Sequence, residues 1–127
     1  MGMAQGGSGE RSIADTTDAV KETARAATLY GTASYYADKF NGRKTANGET
    51  YDGNKMTAAC NSLPLGTWIR VTNLSNNRSV VVKTNDRLHI KMKRVVDLSR
   101  AAAEKLGYVG KGLTRVRVEV LEKKSKK

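Results

Sequence analysis

Aromatic bulk is scarce in this chain, whose 127 residues include one tryptophan, one phenylalanine and five tyrosines. A core of ordinary density must therefore be filled by valine, leucine, isoleucine, alanine and tyrosine. A single cysteine, Cys60, excludes an intrachain disulfide and leaves the redox compartment open. One cysteine and one histidine without repeated spacing are a poor zinc signature, so neither metal nor cofactor is expected. No apolar run is long enough to span a bilayer, and no transmembrane segment is expected. The opening Met1-Gly2-Met3-Ala4-Gln5-Gly6-Gly7-Ser8-Gly9 lacks the charged start and apolar stretch of an export signal. It reads as a remnant joined to a leader, from which a native signal is expected to have been removed.

Acidic residues are also in deficit, 12 against 23 Lys and Arg, for a formal charge of +11. The first thirty residues hold three basic and four acidic residues, so the positive field belongs to residues 31–127. Such a field steers polyanions. Nucleic acid, anionic lipid and cell-wall polymer all qualify, but no helix-turn-helix, RNP or zinc-finger pattern supports nucleic acid.

The length and a composition 39% hydrophobic and 28% charged indicate one globular domain, expected to be monomeric. Residues 1–12 are Gly/Ser-rich and are expected to lack fixed structure. From Ile13 to Leu29 a weak helical period (Ile13, Val20, Ala24, Ala27) predicts a short helix or linker, so 1–30 form a leader. Thr67–Thr72 and Ser79–Thr84 are β-branched runs split by the Asn-rich Asn73–Asn77, which predicts a hairpin. A strand over Arg94–Asp97 runs into Ser99 as a helix N-cap, and Gly107 ends the short helix. Asp97 is expected to help cap that helix. Thr114–Val120 alternates strictly, with valines inward and charges outward, and a basic tail fills 123–127. Many short strands with one small helix argue for a closed β-barrel over 31–122.

Several segments, taken in order, carry more than pattern. Gly31-Thr-Ala-Ser-Tyr-Tyr36, Phe40-Asn-Gly-Arg-Lys-Thr-Ala-Asn-Gly-Glu49, Thr57-Ala-Ala-Cys60, Leu63-Pro-Leu-Gly66, Asn85-Asp-Arg87 and Val96-Asp-Leu-Ser99 together resemble the rare lipoprotein A (RlpA) family. The resemblance implies a mainly β fold, a six-stranded double-psi β-barrel with one or two short helices. It also implies a lytic transglycosylase that cleaves peptidoglycan glycan strands in the periplasm or at the outer membrane. Glu49 and Asp86 match the family's glutamate in Asn-Gly-Glu and aspartate in Asn-Asp-Arg. The family's histidine falls on Cys60, Leu88-His89 replaces its usual Gly-Pro, and Ala37 stands where a glycine normally follows the aromatic pair.

In such a reaction the glycosidic oxygen is protonated and the sugar's own C6 hydroxyl attacks the anomeric carbon. One group can then serve as acid and base in turn. Asp86 is the candidate, with Glu49 as the neighbouring carboxylate and Cys60, in the histidine position, expected on the cleft floor. Tyr35, Tyr36 and Tyr51 are candidates for stacking on sugar or for packing. Arg43, Lys44 and Arg87, with Thr45 and Asn47 of the same region, are candidates to bind substrate. The Cys60 substitution also supports a second reading, a barrel that grips cell-wall glycan without cutting it.

Overall fold

A computed structural model of the chain describes residues 28–89 and 91–121. The expected helix or linker over 13–27 lies outside these residues, and Leu29, expected at its end, instead opens the first strand. The elements are β1 (Leu29–Tyr35), a 3-10 turn (Asp38–Phe40), β2 (Thr57–Ala59), β3 (Trp68–Asn73) and β4 (Ser79–Asp86). They are followed by β5 (Val96–Leu98), the short helix α1 (Arg100–Leu106) and β6 (Thr114–Val120). Six strands close in the order β1-β5-β2-β4-β3-β6. The β1/β5 and β2/β4 pairs are parallel, and the other four pairs are antiparallel.

The predicted hairpin is β3 and β4, with Ile69 facing Val82 and Val71 facing Val80. Alternation decides which side chains enter the barrel. Ile69 and Val71 from β3, Val82 from β4, and Val116 and Val118 from β6 are wholly buried, as are Val96 and Leu98 from β5. Arg115, between Thr114 and Val116, is exposed, and Arg117, between Val116 and Val118, is half-buried. Closure leaves no free sheet edge.

The helix α1 plugs one side of the barrel with Ala102, Ala103 and Leu106. Ser99 caps it by accepting from the Ala102 N–H at 3.3 Å. Gly107, at φ +82°, ends it in the left-handed conformation that glycine adopts without steric cost. Asp97 takes no part in this cap; its carboxylate turns the other way, onto Arg94.

Candidate active site

The site is built where β4 ends. In the β2/β4 ladder Ala58 pairs with Thr84 and Ala59 with Asp86, so Asn85 is one residue too many on β4. Such a bulge bends the strand and re-aims the side chains beside it. One row of partners then runs across four strands: Ser34 on β1, Asp97 on β5, Ala59 on β2 and Asp86 on β4. Two carboxylates thus stand on either side of an alanine, their backbones roughly 10 Å apart at two strand spacings. The methyl of Ala59 leaves room between them. A cavity of about 560 Å3 opens there, lined by Asp86, Asp97, Ala59, Tyr35 and Tyr36. Arg43, Lys44, Thr45, Tyr51, Arg87 and His89 also line it.

Asp86 is held from three directions. Its Oδ1 accepts the backbone N–H groups of Ala46 and Arg87, each at 2.8 Å. Its Oδ2 accepts the Tyr36 hydroxyl at 2.5 Å. A carboxylate offers about four lone-pair sites. The two backbone donors therefore occupy Oδ1, and among the described residues Oδ2 takes the Tyr36 donor alone, on one of its two lone pairs. Tyr36 lies flat on Tyr51, with centroids 4.2 Å apart and planes 12° from parallel. Burial foremost, then the hydrogen bond and charge of Asp86, push the Tyr36 phenol far above the usual tyrosine range. It therefore remains a donor at any physiological pH.

A small hairpin over residues 43–50 supplies the Ala46 donor. Thr45 N–H donates to the Glu49 carbonyl at 2.7 Å, and Gly48, at φ +91°, turns the tip. Asn47 folds the loop on itself: its Oδ1 accepts from the Thr45 hydroxyl at 2.7 Å and the Glu49 N–H at 3.0 Å. Its N–H donates to the Asn85 carbonyl at 3.2 Å, which pins the hairpin to the bulge.

The expected site residues divide accordingly. Tyr36, Arg43, Lys44, Thr45, Tyr51, Asp86 and Arg87 share the cavity. Asn47 shapes the loop rather than lining the cavity. Tyr51 is almost fully buried beneath Tyr36, and its hydroxyl accepts the Arg100 N–H at 3.2 Å. Arg87 turns one guanidinium nitrogen onto the carbonyls of Cys60 and Leu63, at 2.5 and 2.6 Å, so it also clamps the loop after β2. Glu49 is not brought into the Asp86 cavity; it lines a neighbouring concavity, where Asn85 Nδ2 donates to Oε1 at 2.9 Å. Bonds from the Asn85 and Asn47 side chains hold its carboxyl below the usual glutamate range.

Cys60 is not on the cavity floor. Its side chain is wholly buried in the apolar cluster with Ala58, Leu63 and Leu98. Chain direction explains this: Ala59 occupies the floor, and the next residue turns inward as β2 ends. Two further residues with chemistry line the cavity, outside the expected catalytic and substrate-binding set. Asp97 is gripped by Arg94 through Nε to Oδ1 at 2.8 Å and Nη2 to Oδ2 at 3.2 Å, and this pair raises the Arg94 guanidinium. Its signal was available, since an acid between Val96 and Leu98 must point opposite to both. The other is His89, on the rim, whose Nδ1 accepts the Lys91 N–H at 3.1 Å. That contact places the proton of the neutral ring on Nε2.

Residues 28–118 match the family model described as lytic transglycolase. The endolytic peptidoglycan transglycosylase RlpA of Pseudomonas aeruginosa is 56% identical over 99 residues, 78% of this chain and 29% of that protein. The protein of the same name from Campylobacter jejuni is 46% identical over 106 residues, 84% of this chain and 37% of that protein. The chain thus spans about a third of the length of these curated relatives. Among solved structures, the Streptomyces papain inhibitor superposes with a TM-score of 0.61 at 24% identity, covering 75% of this chain and 94% of that one. The expansin of Clavibacter michiganensis gives 0.62 at 20% identity, over 78% of this chain and 52% of that one. These two likenesses concern the fold alone. With its closed mixed barrel and its match over most of its length, the chain belongs to the RlpA-like family of double-psi β-barrel lytic transglycosylases.

Proposed function

We propose that this barrel is the catalytic domain of a peptidoglycan lytic transglycosylase of the bacterial cell envelope, with Asp86 as its general acid and base. The observation that carries this reading is a carboxylate fixed by three donors at the edge of a cavity, with a lone pair of Oδ2 that no donor among the described residues takes. In the protonated state that lone pair holds the proton. The proton passes to the glycosidic oxygen, and the bond from that oxygen to the anomeric carbon breaks. The C6 hydroxyl of the same sugar bonds to the anomeric carbon and returns its proton to Oδ2. Water is neither consumed nor released, so a single carboxyl suffices where hydrolysis needs two.

The surrounding residues support the same chemistry. Tyr36 and the Ala46 N–H keep the carboxyl in one orientation, which raises the fraction of bound strands in reactive geometry. Arg43 and Lys44 are exposed at the rim, where lactyl or peptide carboxylates of the glycan would meet them. Asp97, neutralised by Arg94, offers acceptor oxygens to sugar hydroxyls across the cavity. The 46–56% identity to relatives named as endolytic peptidoglycan transglycosylases adds to this reading.

The test is digestion of purified peptidoglycan, intact and stripped of peptide, with mass spectrometry of soluble products. The native protein is expected to release anhydro-muramic ends, each lighter by one water than a hydrolysed end. Hydrolysed ends, or glycan retention without products in native and Cys60→His proteins alike, would overturn the proposal. Retention alone would favour a non-cutting glycan-binding barrel, the reading that Cys60 in the histidine position suggests.

A further inference from the structure

The outer face of the β2–β4–β3 sheet carries a second concavity, of about 540 Å3, which proton transfer at Asp86 does not use. Its floor is a row of three residues in register across the sheet, Thr57, Lys83 and Trp68. Trp68 is the sequence's one tryptophan, yet 43% of it is exposed in a protein short of large apolar side chains. The Lys83 ammonium stands 5.8 Å from the indole centroid. Glu49 forms part of the wall, its carboxylate held by Asn85 at 2.9 Å, and Asp52 and Lys55 line the same hollow. An exposed indole beside fixed acceptors and ammonium donors suits a pyranose. The C–H face of the sugar packs on the ring, while its hydroxyls meet the charged groups.

The two hollows share a wall. Arg43, Lys44 and Thr45 line the Asp86 cavity, whereas Glu49 and Thr50, from the other arm of the same hairpin, line the Trp68 concavity. Asn85 and Asp86 are consecutive, one facing each hollow. The hairpin is bonded to both, through Ala46 to the Asp86 carboxylate and Asn47 to the Asn85 carbonyl. A polysaccharide lying over the hairpin tip meets both hollows, and a short fragment reaches only one.

We infer that the Trp68 concavity is a remote subsite, which holds a sugar of the same glycan strand that is cut at Asp86. The inference rests on the peptidoglycan reading for the identity of the strand. Glu49 then acts by binding rather than by proton transfer, and the site confers a preference for long strands.

Because Trp68 is the sole tryptophan, its fluorescence reports on this concavity alone. The experiment titrates Asp86→Asn protein, which leaves strands uncut, with peptide-free glycan strands and with short glycan fragments, using calorimetry for total binding. Long strands are expected to change the emission saturably and to shield the indole from acrylamide; short fragments, which engage one hollow at a time, are expected to do so only weakly at the same sugar concentration. Glu49→Gln and Trp68→Ala, each on that background, are expected to weaken long-strand binding about three- to tenfold, with Trp68→Phe restoring most of it. Strand binding by calorimetry with unchanged emission and quenching would overturn the subsite and leave the proposed function standing. No binding of any glycan would overturn both.

Discussion

Replacing Tyr36 by phenylalanine removes one hydroxyl and leaves the aromatic stack intact. The ring still lies 4.2 Å from Tyr51 and edge-on to Phe40 at 5.9 Å. What disappears is the 2.5 Å bond to Oδ2 of Asp86. A hydrogen bond to a charged group contributes about 1.5–3 kcal/mol. Asp86 is half-buried and water can partly replace the donor, so the lower part of that range, about 1.5–2 kcal/mol, applies. If the bond is equally needed when the strand is cut, kcat/KM falls roughly 10- to 30-fold. Stability falls too, by about 4–8 °C in Tm for each kcal/mol lost in a domain of this size. The assay is the initial rate of soluble product release from peptide-free glycan, beside thermal unfolding followed by circular dichroism. Tyr108→Phe is the control. Its hydroxyl donates to the Ser34 carbonyl at 2.7 Å, and neither residue lines the cavity, so its loss lowers Tm and leaves the rate unchanged. A Tyr36→Phe rate within twofold of the native one, or a Tyr108→Phe protein slowed as much, would refute this role for the tyrosine hydroxyl.

Three further outcomes follow from the same geometry. Cys60 is wholly buried, so a thiol reagent should label it only as the barrel opens, at a rate that rises with urea; prompt labelling of the native protein would contradict its place in the core. Burial first, and then nearby carboxylates, raise the Tyr36 and Tyr108 phenols above their ordinary value of 10.0. The stability this contributes is complete below pH ~10 and drains as pH climbs past it, since the unfolded state loses those protons first. Urea midpoints should therefore begin to fall near that pH, with the last phenolate absorbance appearing together with unfolding. Asn73 is buried where β3 ends; it donates to the Leu106 carbonyl at 2.9 Å and accepts from the Thr114 hydroxyl at 2.8 Å. Asn73→Ala unties the helix from β6 and should cost about 2–3 kcal/mol in urea unfolding.

Local signals were legible in the sequence, and long-range ones were not. The β3/β4 hairpin followed from two β-branched runs around an Asn-rich turn, because neighbouring strands pair through a short connection. The caps at Ser99 and Gly107 followed from side-chain chemistry within one turn of the helix. The Ser34–Asp97–Ala59–Asp86 row depends instead on two parallel pairings and one antiparallel pairing between segments far apart in the chain, and on a bulge at Asn85. No local period encodes either. Hence Asp97 read as a helix cap, although it lines the cavity. Family resemblance brought Glu49, Cys60 and Asp86 together as one site. The bulge and the turn after β2 send them to three places: a neighbouring concavity, the core and the cavity edge.

The most direct test of the proposed chemistry compares two conservative changes in one digestion, Asp86→Asn and Glu49→Gln. The measured quantity is the rate at which anhydro-muramic ends appear from peptide-free glycan. Proton transfer at Asp86 predicts a loss of about 10²–10⁴-fold for Asp86→Asn with the fold intact. Glu49→Gln should reduce the rate only severalfold, and only at glycan concentrations below saturation. If Glu49→Gln is as inactive as Asp86→Asn at saturation, or if Asp86→Asn still cuts at the native rate, the assignment of the chemistry to the Asp86 cavity is wrong.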